Sequence, residues 1–163
     1  MPVTPLIVDP PVRRPNELPY LDGRLRLAVE PGRTRVHRRG ERLLVPAGDA
    51  RPAIERFYRR AAREEIGSRL DRAVRVAGVS YTDMSIRAQR TRWASCSSTG
   101  HMSFNWRLML APERVLFYVI WHEVCHLEIL NHSPRFWALL ERRWPGYRED
   151  REWLRHHGAT LVL

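Results

Sequence analysis

The sequence predicts an α+β fold, one small antiparallel sheet packed against helices with a single apolar helix at its centre. Three observations predict it. Short segments of alternating apolar and polar residues, bounded by Pro and Gly, occupy residues 24–45 and 84–106. Apolar residues recur at helical spacing over 52–78 and again from 113 to about 130. Within the second of these, Val115-Leu116-Phe117-Tyr118-Val119-Ile120-Trp121 is apolar almost all round, which marks a buried helix.

The elements follow in chain order. Residues 1–19 hold six prolines and little periodicity, and are expected to form a disordered leader. A single domain is expected over 20–163, with a small β-meander at 20–50 and a core at 51–163. In the meander Leu25, Leu27 and Val29 alternate with polar residues as a first strand. Thr34–Arg38 and Arg42–Val45 follow, each after a Gly-containing turn. Pro52 opens a long helix that ends near Gly78, with an arginine-rich solvated face.

Met84–Trp93 reads as a strand, 96–100 as a turn and His101–Trp106 as the returning strand of a hairpin. Pro112 starts the buried helix, expected to run from Glu113 to about Leu130. A further helix is expected from Pro134 to Trp144, and a short one from Glu149 to His157 closed by Gly158.

Length and composition narrow the function classes. The chain has 163 residues, enough for one real core. No apolar run nears the roughly 18 residues that a membrane span needs. Two cysteines make no disulfide framework, and Met1–Pro19 carries no apolar signal region, so a cytoplasmic protein without membrane contact is expected.

The net charge is +10, and all 28 basic residues are Arg. Residues 51–121 carry 13 Arg against 6 acidic residues, whereas residues 122–163 carry 6 of each. The surplus lies upstream of residue 122 and is one route to a nucleic-acid partner. Arginine as the general solubilising residue is the favoured account of it.

The chemistry concentrates in His122-Glu123-Val124-Cys125-His126, an H-E-x-x-H motif inside the buried helix. Residues i and i+4 share one helical face, so both imidazoles can reach one tetrahedral Zn²⁺. Glu123 falls beside such an ion rather than on it, where a carboxylate serves as general base. Two histidines and a glutamate in a buried helix need strong partners, and a metal supplies them. A catalytic zinc takes three protein ligands. His132 is the third, provided that the helix stops near Leu130–Asn131, where Asn131 suits a left-handed end. Ser133-Pro134 then reads as the cap and first turn of the next helix.

Around this motif stand Arg92-Trp93-Ala94-Ser95-Cys96-Ser97-Ser98, Asn105-Trp106-Arg107-Leu108, Leu110-Ala111-Pro112, Asn131-His132-Ser133 and Phe136-Trp137. In this order they resemble the YgjP-like zinc metallopeptidases, a small zincin group related to the SprT-like proteases, over roughly residues 57–163. The resemblance implies a zincin-like fold and a zinc-dependent metalloendopeptidase with one Zn²⁺ per chain. It places the ligands at His122, His126 and His132 and the catalytic carboxylate at Glu123, the positions that the spacing reaches independently. One departure stands out. The family's Arg-Trp-Gly-Ser-Cys has Gly where this chain has Ala94, which requires a backbone without positive φ there. Metzincins are set aside, because Ile129 stands at their Gly position and the last methionine, Met109, precedes the motif.

Zincins align a peptide along an edge strand beside the metal helix, and the hairpin at His101–Trp106 is the candidate here. Phe104, Asn105, Trp106 and Arg92 are therefore candidate substrate-binding residues, Arg92 serving either an oxyanion or the turn itself. Cys125 points away from the histidines and reads as a small core residue. The expected partner is an extended peptide or protein segment. The competing expectations are a zinc-containing nucleic-acid-binding or adaptor module, and a protease of the SprT-like kind acting on DNA-bound proteins.

Overall fold

The computed structural model describes residues 13–89 and 91–163. Its elements are β1 (Glu17–Tyr20), β2 (Gly23–Val29), β3 (His37–Arg39), β4 (Arg42–Val45), α1 (Arg51–Ala77), β5 (Asp83–Arg87), β6 (Ala94–Cys96), β7 (His101–Asn105), α2 (Glu113–His126), α3 (Pro134–Arg143) and α4 (Tyr147–His157). The α+β class holds. The single antiparallel sheet does not, because there are two small sheets and each is mixed.

The first sheet has the order β1-β2-β4-β3. β4 runs parallel to β2, with Leu27 beside Leu43 and Val29 beside Val45, and the hairpin partner β3 lies outside it. Composition explains the departure from a meander. β4 is the most apolar of these strands, and Leu43, Leu44 and Val45 are all buried, so it takes an interior place. β3 is His-Arg-Arg, wholly exposed, and sits where charge guards an edge. The leader expected over 1–19 lies outside the described residues up to 12. Its last part is ordered, since Glu17–Pro19 belong to β1 and pair with Arg24–Arg26.

The turn after β1 ties this sheet to the second half of the chain. Leu21 N–H donates to the Met109 carbonyl at 2.7 Å, and Tyr58 Oη–H donates to the Pro19 carbonyl at 2.5 Å. Asp22 Oδ1 accepts from Glu113 N at 2.8 Å, which satisfies a free amide at the start of α2. Arg69 on α1 then bridges Glu65 and Glu113, at 2.5 and 2.6 Å. The N-terminal end of α2 is thus held by both the sheet and α1.

The second sheet has the order β5-β7-β6. The strand expected over Met84–Trp93 ends at Arg87, and the hairpin to β7 is made by Ala94–Cys96 instead. β7 is the middle strand, parallel to β5 and antiparallel to β6, with Met102 and Phe104 fully buried. Gly100 turns the hairpin at φ +84°, a conformation that side chains resist. One hydrophobic core runs from Leu25 and Leu43 through Ile66 and Leu70 of α1 to Leu116 and Ile120 of α2 and Leu140 of α3. Among the described residues no helix is long and apolar enough to cross a membrane.

Candidate metal and catalytic site

α2 carries the H-E-x-x-H motif on its last turns and ends at His126, four residues before the expected stop. Asn131 is not among the positive-φ residues, so it does not end the helix in the expected left-handed way. The chain instead closes one more turn, with Ile129 N–H donating to the Cys125 carbonyl at 2.9 Å, and then reverses. Ser133 caps α3, its Oγ accepting from Phe136 N at 3.4 Å, with Pro134 in the first turn as expected. His132 lies in the corner between the helices and folds back onto α2.

The three imidazoles meet at their Nε2 atoms. His126 Nε2 lies 3.1 Å from His132 Nε2, which lies 3.3 Å from His122 Nε2. Nitrogens bound tetrahedrally at about 2.0–2.1 Å from one ion stand roughly 3.3 Å apart, so this donor set fits a small divalent cation. The tautomers agree with that reading. His126 Nδ1 is 3.0 Å from the Ile129 carbonyl, which can only accept, so the proton sits on Nδ1 and the Nε2 lone pair faces the cluster. His122 Nδ1 is 3.2 Å from Glu123 Oε1, with the same consequence for its Nε2. Burial, then the two neighbouring imidazoles, hold His132 below the usual histidine pKa, which keeps it a neutral donor.

Glu123 is buried, 5% exposed, beside this cluster. Its charge is felt at Cys96 on β6, whose thiol is pushed up to about 11 by burial and then by Glu123. β6 is an edge of its sheet and packs on α2, the helix that carries Glu123. Cys125 is fully buried on the far side of the helix, also near 11 through burial. Both thiols are free, and among the described residues the donor atoms that converge are those of the three histidines, without either sulfur.

An aromatic wall from α3 lines one side of the histidines, of which His132 is exposed. Phe136, fully buried, stacks on His126 and meets His122 and His132 edge-on. Trp137 stacks on His132, and Tyr147 of α4 stacks on Trp137. The Phe-Trp pair is legible in the sequence as the buried side of α3. Its service to the histidines is not, and neither is the part played by Tyr147.

The expected substrate-binding residues fare differently. Phe104 and Trp106 are 0% and 1% exposed, and Asn105 is 3% exposed. β7 has strands on both sides, so Phe104 and Asn105 do not lie along an edge, and Trp106 follows the end of β7 in the core. Asn105 works inside the fold. Its amide donates to the carbonyls of Gln89 and Arg92, and its Oδ1 accepts from Arg107 N, which fastens the segment before β6. Arg92 is exposed in that segment and its carbonyl receives the Asn105 bond. The edge expected at His101–Trp106 belongs instead to β6. Ala94 lies in β6 without positive φ, so the Gly of the family pattern is not required there.

The sequence profile of the YgjP-like metallopeptidase domain matches residues 8–157. No curated protein matches the chain. Among solved structures, the metallopeptidase zymogen abylysin of Pyrococcus abyssi aligns at 24% identity and TM-score 0.50, over 59% of this chain and 94% of that one. The zymogen jannalysin of Methanocaldococcus jannaschii aligns at 22% identity and TM-score 0.49, over 60% of this chain and 97% of that one. The match to abylysin bears on the fold alone, and the profile match carries the assignment. The chain belongs to the YgjP-like family of metallopeptidases, hydrolases of protein or peptide substrates.

Proposed function

We propose that this metallopeptidase is a zinc-dependent endopeptidase in which His122, His126 and His132 hold one Zn²⁺ and Glu123 is the general base. The observation that carries the reading is the convergence of three Nε2 donors, 3.1 and 3.3 Å apart, beside a buried carboxylate. A bound Zn²⁺ supplies Lewis acidity for the attacking water and the scissile carbonyl. Glu123 takes the proton from that water and delivers it to the leaving amine. The Ile129 carbonyl and Glu123 Oε1 hold His126 and His122 in the tautomers that present Nε2.

An extended substrate adds to the outer edge of β6, with backbone hydrogen bonds supplying affinity that tolerates many sequences. Arg92, exposed just before β6, lies within reach of such a strand. Residues 20–163 act as one unit around the shared core. Two free thiols support a reducing compartment, the cytoplasm. The arginine surplus by itself does not favour a nucleic-acid-binding module or a DNA-directed protease over this reading.

The test compares new protein N-termini in a cell extract treated with zinc-loaded protein and with its zinc-loaded Glu123→Gln form. Cuts made only by the native protein are expected, and they report its sequence preference. Identical N-termini from two folded, fully metallated proteins would refute the assignment of Glu123 and of the peptidase site.

A further inference from the structure

Arg151 of α4 is the charge that the site leaves without an answer. Its guanidinium carbon lies 4.9 Å above the Trp137 ring. Trp137 in turn stacks on His132, with centroids 5.6 Å apart and planes 24° from parallel. Every other ionised side chain on α4 near it is committed elsewhere. Arg148 bonds Glu141 at 2.7 Å, and Arg155 bonds Glu152 at 3.0 Å. Glu149 and Asp150 both face Arg114, and Asp150 also accepts from Trp144. Among the described residues Arg151 has no carboxylate partner, yet it is exposed and fixed on an aromatic face. Its charge reaches both His132 and Tyr118, the latter edge-on to His122.

A guanidinium seated over an indole ring has given up part of its hydration and its freedom, so it binds a carboxylate at less cost than a free arginine does. No described residue of the chain supplies that carboxylate, and an acidic substrate can bring one. We propose that Arg151 is a specificity residue, receiving an acidic side chain of the substrate within a few residues of the scissile bond on the Trp137 side of the histidines. This rests on the peptidase reading above and adds to it a substrate class, acidic peptides.

The test takes a peptide that the zinc-loaded protein cuts and scans Glu against Gln, its neutral isostere, through the positions flanking the cut. One position is expected where Glu raises kcat/KM about three- to tenfold over Gln, with the advantage shrinking as salt is added. In Arg151→Gln the ratio falls to about one. In Arg151→Glu it reverses in favour of Lys at the same position. Arg148→Gln keeps the native ratio. The salt dependence is read on the native protein, so a poorly folding variant does not empty the test. Cleavage that depends on Glu123 but shows no acidic preference, or a preference that survives Arg151→Gln, overturns this proposal and leaves the peptidase reading standing. A peptide set that neither the native protein nor Glu123→Gln cuts, with both metallated, overturns both.

Discussion

Phe136 lies face to face with His126, the ring centroids 4.4 Å apart and the planes 22° from parallel. The same ring meets His122 and His132 edge-on at 5.0 Å. One side chain on α3 therefore sets the orientation of all three imidazoles, and its own position depends on α3 starting directly after His132.

Phe136→Ala removes this contact and leaves a cavity at a position that is fully buried. Truncating a buried Phe costs about 3–5 kcal/mol. Groups that orient metal ligands typically contribute 10- to 100-fold in affinity. The metal-free variant is expected to unfold well below the native protein on heating. At temperatures where it is folded, it should bind Zn²⁺ at least tenfold more weakly in competition with a chelator. Loss of stability with unchanged zinc affinity would mean that the ring fills space and orients nothing.

Ser133→Ala separates the two roles of the corner. Ser133 Oγ accepts from Phe136 N, and removing a helix cap of this kind costs about 1 kcal/mol. The first turn of α3 carries Phe136 and Trp137, and His132 is adjacent in sequence. Zinc affinity should fall severalfold along with stability, while Ser133→Asp, which also caps, should restore both. The readouts are thermal unfolding and chelator competition on the three proteins.

Much of this site was legible because its signal is local. The i, i+4 spacing of His122 and His126 places two donors on one helical face in any context, and Glu123 is placed with them. His132 required only that the chain turn back before Ser133-Pro134, and it does. The end of α2 is not legible in the same way, because Asn131 looks like the natural stop. The chain stops at His126 instead, and the Ile129 carbonyl then becomes the partner of His126 Nδ1. Strand order was not legible. The choice of β4 over β3 as neighbour of β2, and of β6 over β5 as hairpin partner of β7, depends on which strand the core accepts. That is a nonlocal decision. For the same reason Phe104 and Trp106 were expected at an edge and lie in the core. The column of His132, Trp137, Tyr147 and Arg151 joins three separate segments, and no periodicity announces it.

Asp150 gives the stability a pH dependence. It is 2% exposed, and burial raises its pKa above the ordinary carboxylate range, against the opposing pull of the Trp144 indole N–H and Arg114. The folded state therefore binds the proton more tightly than the unfolded state. This contribution is fully present below the unfolded pKa near 4 and is lost as pH rises through the higher folded value. Asp150→Asn removes the titration and keeps an acceptor for the Trp144 N–H, which now lies 2.7 Å from Oδ2. Relative to the native protein, the variant should gain stability as pH rises from about 4 toward 7. Melting temperatures of both proteins across that range are the measurement. A difference that stays flat would show that the carboxyl titrates alike in the two states.

Gly158 and Trp93 share a surface where the end of α4 meets the segment leading into β6. A Cβ placed on Gly158 would stand 2.8 Å from Trp93 Cζ2, closer than such atoms approach, so Gly158→Ala must displace the indole. Overpacking of this kind costs about 1–3 kcal/mol. Trp93 also offers its carbonyl to Asn105 N at 2.8 Å and directly precedes Ala94, the first residue of β6. Displacement should therefore pass into the edge that is proposed to receive the peptide. Gly158→Ala is expected to raise KM for an extended peptide while Zn²⁺ affinity stays native, because nothing in the histidine cluster touches this contact. Trp93→Leu, which makes room, should cost stability by itself but less when combined with Gly158→Ala than the two single changes predict. That shortfall is the coupling between the two residues, read from a double-mutant cycle of unfolding free energies. Strict additivity would place the cost of the alanine somewhere other than the indole.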